Sequence, residues 1–160
     1  MLNFTGDRTT MAVYLYGVET FAFGISVSGW HLDWQVSSVA QILNPLDQVF
    51  SPVEHLYLRH EVHSQSSEEH NQVDRIEWRK LLRLYNNVKT LYVGDGLIEE
   101  LSRCLQLEDG ELPLELFPEL QELTYVGSSD AGDAFTSFID ARQNIGRPVT
   151  LVRRSLPSSS

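Results

Sequence analysis

Three segments of the chain share one short pattern, and that repetition constrains the fold more than any other feature. VEHLYL starts at Val53, VKTLYV at Val88 and LQELTY at Leu120. Each has an apolar start, two polar positions, then Leu, a variable residue and a large apolar residue. The starts lie 35 and 32 residues apart, and the next strand, at Val149, follows after 29. A motif recurring at such periods marks stacked supersecondary units, each burying its apolar side against its neighbours.

Between the repeated segments the apolar period changes from two to about 3.6, so strands alternate with helices. Strands are predicted over 21–28, 53–59, 88–93, 120–126 and 148–153. A first helix over 33–43 puts Val36, Val39, Ala40 and Leu43 on one face, with Asp33 as N-cap. A second over 74–85 aligns Trp78, Leu81, Leu82 and Tyr85, and Asp74 with Glu77 forms a capping-box-like start. A third over 97–105 uses Leu97, Leu101, Cys104 and Leu105. A fourth over 131–142 buries Phe135, Phe138 and Ile139, with Asp130 as cap and Gly146 past the end.

Alternating strands and helices fit two architectures, a doubly wound sheet and a one-sided solenoid. A sheet covered on both faces needs nearly continuous apolar strands. Here His55, Tyr57 and Arg59 alternate with Leu56 and Leu58, and Thr90 and Tyr92 alternate with Leu91 and Val93. One sheet face is therefore polar. The expected fold class is α/β: a leucine-rich-repeat-like solenoid of β-α units, with a parallel sheet exposed on one face and helices on the other.

The segment 11–30, MAVYLYGVETFAFGISVSGW, is apolar enough to raise the question of a signal peptide or membrane span. Glu19 in its middle, Gly17, Gly24 and Gly29, and the alternation of Phe21, Phe23, Ile25 and Val27 favour an N-terminal β-hairpin turning at 17–20. The strand over 11–18 is then the candidate cover for one sheet edge. Residues 1–10 read as an N-terminal arm, 11–154 as one domain and 155–160 as a disordered tail.

At 160 residues and 42% hydrophobic content the chain can bury one core. Its net charge of −10 disfavours nucleic acid and anionic membranes as partners. A single cysteine, Cys104, allows no intrachain disulfide, which fits a reducing intracellular compartment, cytoplasmic or nuclear.

The strings LDWQVSSVAQI (32–42), VEHLYL (53–58), DRIEWRKLLRLYNNVKTLYV (74–93), LIEELSRCLQLEDGELPLELFPELQELTYVGS (97–128) and DAFTSFIDARQNIGRPVTLVRR (133–154) resemble the C-terminal region of F-box-type leucine-rich-repeat proteins of mushroom-forming fungi. The resemblance covers residues 11 to 154. It implies substrate recognition within cullin-type ubiquitin ligases, the F-box binding an adaptor and the repeats holding the target. No F-box precedes the repeats in this sequence, so adaptor binding is not carried over, and a truncated or repeat-only relative is the expectation. LPLELFPEL (112–120) imitates an F-box opening, but Pro118 opposes a helix there.

No catalytic set emerges, and no cofactor is expected. His60, His63 and His70 share an acidic loop with Glu61, Glu68 and Glu69, but their spacing matches no helical His pair, and a solvated loop is preferred to a metal site. Gly127 to Gly132 lacks the Lys-Ser or Lys-Thr of a phosphate loop. Cys104 lies on an apolar helix stripe and reads as a core thiol. Asp109, Glu111, Glu115 and Glu119 read as a solvated connection on the rim.

The polar strand face remains: His55, Tyr57, Arg59, Thr90, Tyr92, Glu122 and Thr124 are the candidate contacts for an unidentified protein partner. An ordinary solvated sheet face explains the same residues. Three functions follow: a protein-interaction module, a repeat fragment without a partner, and a small doubly wound enzyme.

Overall fold

The computed structural model describes residues 2–5, 8–14, 21–28, 32–46, 48, 52–61, 75–108, 110–127 and 129–154. Among these, side chains are described from residue 34 onward, except at 46, 61, 95, 129 and 130. The elements are β1 (Leu2–Thr5), β2 (Arg8–Tyr14), β3 (Phe21–Ser28), α1 (Leu32–Leu43), β4 (His55–Glu61), α2 (Arg75–Leu82), β5 (Thr90–Val93), α3 (Ile98–Leu105), β6 (Glu122–Val126), α4 (Thr136–Asn144) and β7 (Thr150–Arg154). Short 3-10 turns occupy Asn44–Leu46, Asp95–Leu97 and Ser129–Phe135.

The strands form one sheet in the order β3-β2-β1-β4-β5-β6-β7. From β4 to β7 each strand lies parallel to the one before it, with a helix in every connection. This part of the sheet is an α/β arrangement of four parallel strands in sequential order. It contains no reversal of strand order, the feature that creates a doubly wound crevice.

Register follows the repeated motif. Leu56 lies beside Leu91, Leu91 beside Leu123, and Leu123 beside Leu151. Leu56, Leu58, Leu91, Val93, Leu123 and Tyr125 face one core, which also takes Val36, Val39 and Leu43 from α1, Trp78 and Leu81 from α2, Leu101 and Cys104 from α3, and Phe138 from α4. Residues from all four helices thus join the same side of the sheet. Fully burying side chains of this size contributes on the order of 2 kcal/mol each.

Four expectations need correction. The second helix ends at Leu82, and Tyr85 is buried from the turn that follows. The helix tightens there: the Leu84 and Tyr85 N–H groups donate to the Leu81 and Leu82 carbonyls, turning the chain toward β5. The fourth helix begins at Thr136, because the chain before it runs as a 3-10 turn pressed onto Tyr125. A Cβ at Gly132 would sit 2.5 Å from the Tyr125 hydroxyl oxygen, so that approach requires glycine.

The fourth strand is in register one residue earlier than the 29-residue interval implies. Thr150, rather than Leu151, lies beside Glu122. Since side chains alternate, this one-residue difference places Leu151 against the core and Thr150 outward. The N-terminal side of β4 pairs with β1, from residues read as an arm, and the strand over 21–28, read as the first of the repeating strands, stands at the far edge of the sheet. β1 runs parallel to β4, with Leu2 beside Leu58 and Asn3 beside Arg59. β2 pairs antiparallel with β1 on one side and with β3 on the other. The proposed turn at 17–20, the Asp74 cap, the polar loop from 62 to 72 and the tail 156–160 lie outside the described residues.

Candidate interaction surface

Because side chains alternate along a strand, the positions between the core residues form the opposite sheet face. The zero register stacks them in rows across the four parallel strands. His55, Thr90, Glu122 and Thr150 make one row, and Tyr57, Tyr92, Thr124 and Val152 the next. A third row continues the register through Arg59, Gly94, Val126 and Arg154. Val126 pairs with Arg154, and the Gly94 N–H donates to the Leu58 carbonyl at 2.8 Å.

The centre of this face is a tyrosine pair on neighbouring strands. The Tyr57 and Tyr92 rings have centroids 5.4 Å apart and planes inclined at 35°. Such tilted contacts hold aromatic rings in place beyond simple burial. Tyr57 is 45% exposed, and His55 and Arg59 on the same strand are exposed as well. Thr90, Tyr92 and Glu122 are half-buried. Thr124 departs from the expectation of an accessible contact: it is 1% exposed, and its hydroxyl donates to the Glu122 carboxylate at 2.8 Å. The register assembles all seven anticipated residues on one face, but Thr124 braces Glu122 from within it.

Of the acidic residues expected to form a solvated connection after α3, Glu119 is exposed and Asp109 lies outside the described residues, but Glu111 and Glu115 are engaged. Arg75 and Arg79 on α2 and Arg83 just past its end stand one turn apart, and Glu111 and Glu115 meet them. Arg75 Nη2 lies 2.5 Å from Glu111 Oε2, and Arg79 Nη2 lies 2.6 Å from Glu115 Oε2. Arg83 pairs with the other oxygen of Glu115. Arg75 also donates to the carbonyls of Arg103 and Gln106, and Arg79 to that of Cys104 at 3.2 Å. The hydrogen bond from Arg75, reinforced by the Glu108 N–H, holds the Glu111 carboxyl down to about 2. Arg83 lowers Glu115 in the same sense. The ladder ties the segment after α3 across α2. Its signal was the matched spacing of four in Arg75-Arg79-Arg83 and Glu111-Glu115.

Cys104 is fully buried, and burial pushes its thiol up to about 12. A concavity lined by Arg79, Leu105, Leu112, Pro113, Leu116 and Phe138 has room for about 10 Å³, the size of one water. Among the described residues no group of three or more His, Cys, Asp and Glu is placed to hold a metal ion. His63 and His70 lie outside those residues. No described helix is long and apolar enough to cross a membrane.

No protein-family model matches the chain, and comparison with curated proteins and with solved structures gives no match.

Proposed function

We propose that the chain is a leucine-rich-repeat-like solenoid module whose outer strand face holds a protein partner. The observation that carries this reading is the Tyr57–Tyr92 pair, Tyr57 exposed and Tyr92 half-buried, at the centre of a parallel sheet face whose rows run straight across four strands. Tyrosine supplies a large rigid contact at little entropic cost, and Tyr and Arg are the side chains most often energetic at interfaces. Solenoids commonly bind through the surface that their strands line. The helices build the core on the opposite side of the sheet. On the resemblance to F-box-type leucine-rich-repeat proteins, the partner is the target of a ubiquitin ligase subunit; adaptor binding is no part of the proposal.

The test is affinity capture with the intact chain and with a Tyr57→Ala/Tyr92→Ala double variant, each first checked for unchanged thermal unfolding. The expected result is a defined protein recovered by the wild type and lost from the variant. If both recover the same proteins, or neither recovers any, the strand-face reading fails.

A further inference from the structure

Charge on the outer face is distributed unlike that on the rest of the chain. The net charge is −10, yet Glu122 is the one carboxylate in the three rows that cross all four parallel strands, and it already accepts the Thr124 hydroxyl. Arg59 and Arg154 stand at opposite ends of the third row, and both are exposed. Of the other described cations all but Arg147, which lies outside these rows, are engaged, Arg153 through its Nε to the Gly127 carbonyl. Arg75, Arg79, Lys80, Arg83, Lys89 and Arg103 each meet a carboxylate. Arg142 meets backbone carbonyls. Among the described residues no carboxylate lies within ion-pair distance of Arg59 or Arg154.

The floor between these two arginines is low. Gly94 has no side chain there; its backbone lies against Arg59, whose Cα and Cγ would sit 3.4 and 3.5 Å from a Cβ at Gly94. Val126, the next position, is buried. Tyr92 rises from the neighbouring row. Three strand spacings separate the ends of the row, about 14 Å. An extended peptide covers that length between residues i and i+4, at about 3.4 Å per residue.

We infer that the outer face recognises an extended acidic segment lying across the strands. Two carboxylates four residues apart meet Arg59 and Arg154, and an aromatic or aliphatic side chain between them lies over Gly94 and Val126 against Tyr92. The inference rests on the strand face being the binding surface and adds the chemistry of its partner. The arginines supply orientation as well as attraction, since each can grip a carboxylate with two parallel N–H groups.

The probe is a synthetic peptide with two Glu residues four apart and a central Tyr, flanked by Gly and Ser, titrated into the isotope-labelled full chain. Amide shifts are expected to concentrate at Gly94, Val126 and their strand neighbours, and to weaken as salt is raised. The same peptide with Gln for Glu is expected to bind at least roughly tenfold more weakly. An Arg59→Gln/Arg154→Gln variant is expected to match that loss while keeping its own spectrum. Equal binding of the Glu and Gln peptides, shifts centred elsewhere, or no shifts at millimolar peptide overturns the inference. Failure of the inference is separable from failure of the function. A captured partner lost from Tyr57→Ala/Tyr92→Ala but kept by Arg59→Gln/Arg154→Gln refutes the acidic chemistry and leaves the strand face standing. A partner kept by both variants refutes both.

Discussion

Arg142 Nη1, in α4, donates to the carbonyl oxygen of Phe117 at 2.9 Å, and the same guanidinium reaches the carbonyls of Pro118 and Leu120 at 3.1 and 3.2 Å. Phe117 has φ of 50°, a left-handed conformation that L residues adopt at a cost, and its ring is buried in the core. The chain therefore makes a strained turn just before β6, and Arg142 gathers the carbonyls that the turn directs inward. Replacing Arg142 by Ala leaves those acceptors without their donor, and destabilisation of about 3 kcal/mol is expected. Arg142→Lys keeps the charge but cannot span three carbonyls, so only part of the loss is recovered. Urea unfolding of the two variants beside the wild type measures both effects; an Arg142→Ala midpoint equal to the wild type would remove this role.

The arginine ladder on α2 makes stability depend on acid. The Glu111 carboxyl is held near 2, against 4.5 for an unperturbed group, first by the hydrogen bond from Arg75. Its folded value is depressed, so its contribution is fully present above 4.5 and disappears as pH falls from 4.5 toward 2. Glu115, lowered by Arg83, acts in the same direction. A Glu111→Gln/Glu115→Gln variant is expected to lose about 1 kcal/mol at pH 7, the pairs being partly exposed. It should also show a shallower fall in stability across that acid window than the wild type. Chemical unfolding at pH 7, 4 and 3 reads both quantities, and parallel pH profiles for the two proteins would count against the ladder.

The sheet was legible where pattern and packing coincide. Each repeated strand carries its Leu at the same place, so the motif alone aligns Leu56, Leu91 and Leu123, and with them the tyrosines of the opposite face. The last strand lies where the pattern puts it, but an interval counted from Val149 sets its register one residue late, and a slip of one residue exchanges the two faces. Arg142 and the ladder were not anticipated for a different reason. Charged residues in connections read as solvated, and only tertiary packing brings Glu111 and Glu115 onto α2. The pairing of β1 with β4 joins segments more than fifty residues apart and carries no local signature.

Cys104 offers a reporter of local opening. The thiol is buried among core residues, and burial pushes it up to about 12, so the reactive thiolate is scarce at pH 8. A disulfide reagent is expected to leave it untouched in the native protein and to label it fully in denaturant. Its native rate should instead follow the opening that also breaks the Arg79 contact to the Cys104 carbonyl. Arg79→Met is expected to speed labelling several-fold without shifting the pH at which a free thiol ionises. Rapid labelling of the folded wild type would show the site to be open.

Gly94 and Gly96 stand two residues apart in the same connection and should answer alanine differently. A Cβ at Gly96 would sit 2.9 Å from the His60 carbonyl oxygen, a backbone atom that cannot rotate away. One at Gly94 would meet Arg59 Cα and the Leu58 carbonyl oxygen at 3.4 Å, the near edge of ordinary contact. Neither glycine has the positive φ that would penalise alanine for its backbone alone. Gly96→Ala is therefore expected to cost about 1–3 kcal/mol by forcing the 3-10 turn off the end of β4. Gly94→Ala is expected to stay within about 0.5 kcal/mol of the wild type, the tighter packing offset by the reduced freedom of the unfolded chain. Thermal unfolding separates the two, and equal costs would mean that the turn yields as easily as the strand. Gly94→Ala has a second consequence, because its methyl group rises into the row between Arg59 and Arg154. If an acidic segment lies there, this nearly neutral substitution weakens the Glu peptide, and stability and binding part company at a single atom.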